Sequence, residues 1–202
     1  MKTLELFNMI IGITGGIGSG KSVIAKQLRE MGYAVYDTDS EAKRLIVEDV
    51  YVREQMEQLF GEEVYRDGVY QTAVVAQRVF ADKSLLARLN TIVHPAVRAD
   101  IEDWLLENGD RDLEVCFIEC AILYQAGFDS LCDKVVAVTA PEDIRLERVI
   151  ARDHSTIDKV RARMRAQNAE QDLLRADIVV NNDGEIPIST LCRQILHEAK
   201  ET

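Results

Sequence analysis

The chain is poor in the residues that bind metals and cross-link proteins. Its 202 residues include four cysteines and three histidines. No two cysteines are spaced C-x-x-C and the histidines are scattered, which argues against a zinc site or a disulfide framework. Cys116 and Cys120 fall in a strand-like run and read as core packing. Positive charge is also scarce: 24 basic residues face 35 acidic ones, a net charge of −11. That balance disfavours general binding to nucleic acid or an anionic membrane. It leaves open the binding of a nucleotide, which needs only a local cradle. No apolar run approaches the roughly 18 residues of a membrane span, and the stretch from Met1 to Asn8 contains Glu5 and does not read as a signal peptide. A cytoplasmic protein is expected. There is no internal repeat and no low-complexity linker. With hydrophobic residues at 47%, the chain reads as one compact unit, or one core with insertions.

What is present is concentrated near the start. Gly15-Gly16-Ile17-Gly18-Ser19-Gly20-Lys21-Ser22 matches G-x-x-x-x-G-K-[ST], the Walker A or P-loop pattern. The apolar stretch Met9–Thr14 before it reads as a buried strand. After it, Val23, Ala25, Leu28 and Met31 interleave with Lys26, Gln27, Arg29 and Glu30, a helical pattern closed by Gly32. A strand–loop–helix context is what the motif requires. Glycines let backbone N–H groups approach phosphate oxygens without hindrance from a Cβ, and the helix N-terminus adds free donors and partial positive charge. The expected nucleotide-binding residues are Gly16, Ile17, Gly18, Ser19, Gly20, Lys21, Ser22 and Val23. Lys21 is expected on the β/γ-phosphates of ATP and the Ser22 hydroxyl on Mg²⁺. The bland alternative is a glycine-rich turn.

Tyr33–Tyr36 reads as a second strand, ending in Asp37-Thr38-Asp39-Ser40. Ligands of open parallel sheets bind beyond the carboxyl ends of the strands. Asp37 and Asp39 there are candidates for orienting a metal through water or taking a proton from an attacking hydroxyl. The structural alternative is an Asx turn, with Asp39 or Ser40 capping a helix that begins at Glu41. Residues 41–108 read as helical with little strand signal, turning at Gly61 and Asp67-Gly68. Pro95 is expected to kink or restart the last helix. Leu113–Cys120, Lys134–Thr139 and Ala176–Asn182 read as the remaining strands. Pro141 suits the first turn of the helix Glu142–Ala151, and Ile188–Ala199 reads as a final helix. Five strands with crossover helices give a parallel α/β sheet flanked by helices.

Arg145, Arg148, Arg152, Arg161, Arg163 and Arg165 fall within 21 residues of this acidic chain. Guanidinium groups grip phosphate oxygens bidentately, and Arg148 and Arg152 share a helix face. The polar segment that follows reads either as a lid over ATP or as a solvated hairpin whose arginines pair with local acids. No Asn-Lys-x-Asp guanine motif appears, and the third strand ends in Glu119-Cys120 rather than in the Asp of a motor or transporter ATPase. Glu119, or the loop after it, is a candidate to face the site. These features suit a metabolite or nucleotide kinase of the P-loop NTPase class.

Taken together, Ile13–Ser22, Asp37-Thr38-Asp39, Val79-Phe80-Ala81-Asp82, Leu89–Val97, Arg152-Asp153, Arg163–Gln167 and Ala176–Asn182 resemble the dephospho-CoA kinase family over almost the whole chain. The resemblance implies transfer of a phosphoryl group from ATP to the ribose 3′-hydroxyl of dephospho-CoA. It implies a nucleotide-binding core (residues 1–40, 109–151 and 172–202), a helical acceptor-binding domain (41–108) and a lid (152–171). Asp39 matches the family's base and Arg152 its lid arginine, so Lys21, Asp39 and Arg152 are the expected catalytic residues. Arg148 is expected on the nucleotide, and Asp37, Asp39 and His94 on the acceptor. Small-molecule substrates and a monomer are expected. The chain departs from the family in Ala121-Ile122-Leu123-Tyr124-Gln125, where Pro-Leu-Leu-Phe-Glu is usual. It departs again at Val23, usually Thr, a change expected to be tolerated on a buried helix face. Two rivals stay open: another metabolite kinase on the same scaffold, and a non-catalytic nucleotide-binding regulator, for which Gln125 is the only support.

Overall fold

The computed structural model describes residues 9–108, 114–165, 167 and 169–201. The chain divides into two compact units. One comprises the described residues through Tyr36 and those from Leu106 onward; the other is Asp37–Leu105.

The first unit is built on a five-stranded sheet. Its strands are β1 (Met9–Thr14), β2 (Ala34–Asp37), β5 (Val115–Glu119), β6 (Lys134–Thr139) and β7 (Ile178–Asn181), in the order β2-β5-β1-β6-β7. Strand β1 pairs in parallel with β5, placing Ile11 beside Phe117, and with β6, placing Ile13 beside Val136. The P-loop therefore leaves the middle of the sheet. Alternate residues Ile11 and Ile13, with Val115, Phe117, Val136, Val138, Ile178 and Val180, form one apolar face. Helices α1 (Lys21–Glu30) and α9 (Ile188–Glu201) cover it with Ile24, Leu28, Cys192 and Ile195. Fully burying each large side chain stabilises the fold by about 1.5–3 kcal/mol. The opposite face is tight at Gly12, where a Cβ would come 2.7 Å from Leu123 and 2.9 Å from the Cys132 sulfur. Cys116 and Cys120 are buried free thiols, and burial pushes the Cys132 thiol up to about 12.

Two expectations about this unit need correction. Val23 is 53% exposed, not buried. The stripe of α1 that meets the sheet is Ile24, Ala25 and Leu28, and at 100° per residue Val23 turns away from it. Pro141 lies outside the first helical turn, as the N-cap of α6 (Glu142–Asp153), which runs two residues beyond Ala151. Helix α6 stops where His154 takes a left-handed φ of 50°. Beyond it come α7 (Ile157–Arg165) and the short α8 (Ala169–Arg175).

The second unit contains α2 (Thr38–Glu48), α3 (Val50–Phe60), a hairpin of β3 (Tyr65–Arg66) and β4 (Val69–Tyr70), α4 (Thr72–Ala81) and most of α5 (Ser84–Asn108). Val52, Met56 and Phe60, one turn apart on α3, pack with Val64, Tyr65 and Val75. Asp49 ends α2 and caps α3, accepting from Val52 N at 2.8 Å. The hairpin was not expected among the helices, although Asp67 (φ 52°) and Gly68 (φ 78°) form the left-handed pair that Asp-Gly favours in two-residue hairpin turns. Helix α5 also differs from expectation, running as one element with Pro95 inside it. Proline removes one intrahelical hydrogen bond. Val93, Val97, Ile101 and Leu105 are buried at four-residue spacing on both sides of it, and that packing outweighs the loss.

Candidate active site

The glycines of the loop are required by what surrounds them. Gly18 has φ 80°, and a Cβ there would meet the Arg145 carbonyl oxygen at 2.5 Å. Gly20, the N-cap of α1, has φ 93°, and a Cβ would meet the Asn182 amide at 2.1 Å. The loop is thus closed against α6 on one side and against the end of β7 on the other. Asn182 Nδ2 donates to Ser19 O at 2.9 Å, and Arg148 Nη1 donates to Asn182 O at 2.9 Å and to Gly18 O at 3.5 Å. The buried Ser19 Oγ has no hydrogen-bond partner among the described residues.

At the first turn of α1 three polar side chains converge. Ser22 Oγ donates to Glu119 Oε1 at 3.2 Å, and Lys21 Nζ lies 4.0 Å from the same oxygen. The side chains of Lys21 and Glu119 are 13% and 8% exposed. Glu119 ends β5, the strand beside β1, so the parallel register brings it next to the loop. A carboxylate thus stands beside the loop at the end of this strand, where the sequence has Glu rather than the Asp of a motor or transporter ATPase. Oxygen donors from a hydroxyl and one carboxylate suit Mg²⁺, which usually binds one or two protein carboxylates together with substrate phosphates and water. No group of three His, Cys, Asp or Glu able to hold a metal occurs among the described residues.

The arginines divide into two sets. Arg145 and Arg148 turn onto the loop, with Arg145 Nε donating to Ile17 O at 2.9 Å; burial lowers the Arg145 pKa. Arg152, one turn on, turns to Asp153 at 2.6 Å, and Arg163 donates to the same carboxylate at 2.7 Å. Hydrogen bonds from Arg152 and then Arg163 hold the Asp153 carboxyl well below the usual range. Gln125, the departure from the family pattern, donates its amide to buried Asp172 at 3.4 Å. Arg145, Gln167 and Asn182 each reach the loop from far along the chain. Arg145 stood out only as one of six clustered arginines, and Gln167 and Asn182 only as members of the stretches Arg163–Gln167 and Ala176–Asn182 that carry the resemblance; none was assigned to the loop.

In the other unit, Asp37 rather than Asp39 or Ser40 is the helix cap. Its Oδ1 accepts from Asp39 N and Ser40 N at 3.1 Å each, so α2 starts at Thr38, three residues earlier than expected. An aspartate at the end of β2 is the first residue able to reach those donors. Asp39, freed from capping, is 84% exposed and meets Lys43 one turn on at 2.7 Å. His94 is half-buried on α5, and burial lowers its pKa.

A complete Walker A loop on the central strand of a five-stranded parallel sheet, with a carboxylate at the neighbouring strand end and arginine-bearing helices behind, defines a P-loop kinase. The dephospho-CoA kinase family model matches residues 9–187. A Porphyromonas gingivalis dephospho-CoA kinase is 44% identical over 166 residues, 82% of this chain and 81% of that protein. A crystal structure of a Thermus thermophilus protein aligns with TM-score 0.82 at 33% identity, covering 97% of this chain and 99% of its own. A dephospho-CoA kinase from Campylobacter jejuni shares the fold, with TM-score 0.69 at 21% identity over 94% of this chain and 96% of that one. The chain belongs to the dephospho-CoA kinase family, kinases that use ATP to convert dephospho-CoA to CoA. No helix among the described residues is long and apolar enough to cross a membrane.

Proposed function

We propose that the protein transfers the γ-phosphoryl group of ATP to the ribose 3′-hydroxyl of dephospho-CoA, releasing CoA and ADP. The observation that carries this reading is the cluster of Lys21, Ser22 and Glu119 at the mouth of the P-loop, in a chain of this family. The amides of Gly16 and Gly18–Ser22 and the Lys21 ammonium bind the phosphates of ATP, with Ile17 and Val23 flanking them. Ser22 and Glu119 would hold Mg²⁺, which when bound would neutralise charge on the phosphate oxygens. Asp39 orients the acceptor hydroxyl and takes its proton as the hydroxyl oxygen bonds to phosphorus and the bond to the ADP oxygen breaks. The loose transition state puts most of the catalytic burden on positioning and on countering charge. Arg148 and Arg152 supply positive charge, and Arg152 exchanges Asp153 for the phosphoryl group as it does so.

In this scheme residues 41–108 form the acceptor-binding domain, with Asp37 and His94 on the acceptor side. Residues 152–171 act as the lid, and the remainder is the nucleotide-binding core. The enzyme works as a cytoplasmic monomer. The test is ADP release with Mg²⁺-ATP and dephospho-CoA, with adenosine, AMP and shikimate as parallel acceptors. Turnover with dephospho-CoA alone, with mass spectrometry locating the phosphate on the 3′-oxygen, is expected. Turnover with another acceptor moves the substrate, and ATP binding with no turnover at all turns the reading to a regulator.

A further inference from the structure

Ile17 is the apolar residue among the four positions that the Walker pattern leaves open, and its N–H, its carbonyl and its side chain are each held. Its N–H donates to Gln167 Oε1 at 2.7 Å, and its carbonyl accepts from Arg145 Nε at 2.9 Å. Its side chain is buried with Val149 of α6 and Val160 of α7, beside Leu146, Ile150 and Met164. The next residue is pressed to the same helix, since a Cβ on Gly18 would meet the Arg145 carbonyl oxygen at 2.5 Å. Helices α6 and α7 and the side chain of Gln167 therefore close on one residue of the phosphate loop.

The chemistry of that arrangement is specific. An amide N–H that points into a phosphate loop is itself an anion-binding donor. Here one such donor is already occupied by a neutral side-chain oxygen, and that oxygen belongs to the arginine-rich segment. The bond to Gln167 fixes the Gly16–Ile17 peptide, and Arg145 on the Ile17 carbonyl fixes the next peptide, which carries the Gly18 N–H.

We infer that Gln167 is a positioning residue for nucleotide binding: its side-chain oxygen, through the Ile17 N–H, sets the tip of the P-loop and couples it to helices α6 and α7. Gln167 acts through Ile17 rather than on the substrate. This deepens the proposed function and rests on its reading of the P-loop as the ATP site.

The test replaces Gln167 with Leu, which keeps bulk and removes the acceptor. Three quantities are read on the full chain: hydrogen exchange of the Ile17 amide, the Kd for Mg²⁺-ATP without acceptor, and KM and kcat in turnover. A lost hydrogen bond changes such equilibria roughly twofold to tenfold. Q167L should speed Ile17 exchange and raise the Kd and KM for ATP by about that factor. The KM for dephospho-CoA should stay at its wild-type value. As a second variant, Val160→Ala loosens the apolar side of the same contact and should raise the ATP Kd in the same direction. Unchanged Ile17 exchange in Q167L overturns the inference. So does faster exchange with a wild-type Kd, or a lowered Tm with every kinetic constant unchanged. The Kd is read without acceptor, so failure of the wild type to use dephospho-CoA would overturn the proposed substrate while leaving this result standing.

Discussion

The phosphate end of the proposed site and its acceptor and lid groups are built on opposite plans. Lys21 and Glu119 are nearly buried and already face each other through Ser22. Asp39 is 84% exposed and paired only one turn along its own helix, to Lys43, while Arg152 is 63% exposed and bonded to its neighbour Asp153. Exposed ion pairs of this kind are worth about 0–1 kcal/mol, so they exchange partners at little cost. Removing a partner from a buried charge is expensive, because the remaining group is left desolvated. The difference teaches that the residues proposed to bind phosphate are preorganised in the fold. The groups proposed for the acceptor and the transferring phosphoryl sit in weak local pairs that substrate would displace.

Breaking the exposed side should damage turnover while sparing nucleotide binding. The largest effect is expected for Asp39→Asn, a loss in kcat of roughly 10²–10⁴, the span of an acid–base group. Near-normal turnover by a folded D39N protein would remove Asp39 as the base, and because Asp37 is the cap, no capping role would be left to it. Arg152→Ala should cost about 3 kcal/mol of transition-state stabilisation, like loss of an oxyanion donor. A change in its Tm without a change in kcat would reduce Arg152 to a partner of Asp153. Breaking the buried side should instead show in metal-dependent binding. Glu119→Gln is expected to weaken Mg²⁺-ATP affinity about 10–100-fold, the range for groups that orient metal ligands; titrations of ATP with and without Mg²⁺ measure it. The smallest effect concerns the acceptor unit. Burial lowers the folded-state pKa of His94 below 6.5, so the unfolded chain binds more protons just below that pH. Stability is therefore complete above pH 6.5 and declines as pH falls through the window. Urea unfolding against pH should show that slope, and His94→Gln should flatten it.

The same division explains what the sequence revealed. The P-loop is a contiguous motif whose geometry is dictated by local backbone chemistry, so Gly15–Ser22 and the strand and helix around it were legible directly. Strands β1 and β6 came out at their observed bounds for the same local reason, being short apolar runs between turn signals. Glu119 was only half visible, because its role depends on the register of β5 against β1 and on a side chain one methylene longer than the Asp usually sought. Gln167 and Arg145 reach the loop across more than 120 residues of sequence, a distance no spacing rule covers. At Pro95, helix-breaking chemistry was outweighed by burial on both sides, and at Asp67-Gly68 a sound hairpin signal was submerged in a helical neighbourhood. Val23 shows the limit of counting apolar residues when helical phase decides which of them face the core.

The most direct test of the division is calorimetric titration of Mg²⁺-ATP into the wild type, Asp39→Asn and Glu119→Gln, paired with turnover on dephospho-CoA. The account predicts that D39N binds Mg²⁺-ATP like the wild type yet loses turnover at least a hundredfold, whereas E119Q loses affinity. A D39N protein whose ATP affinity falls in step with its turnover would contradict it.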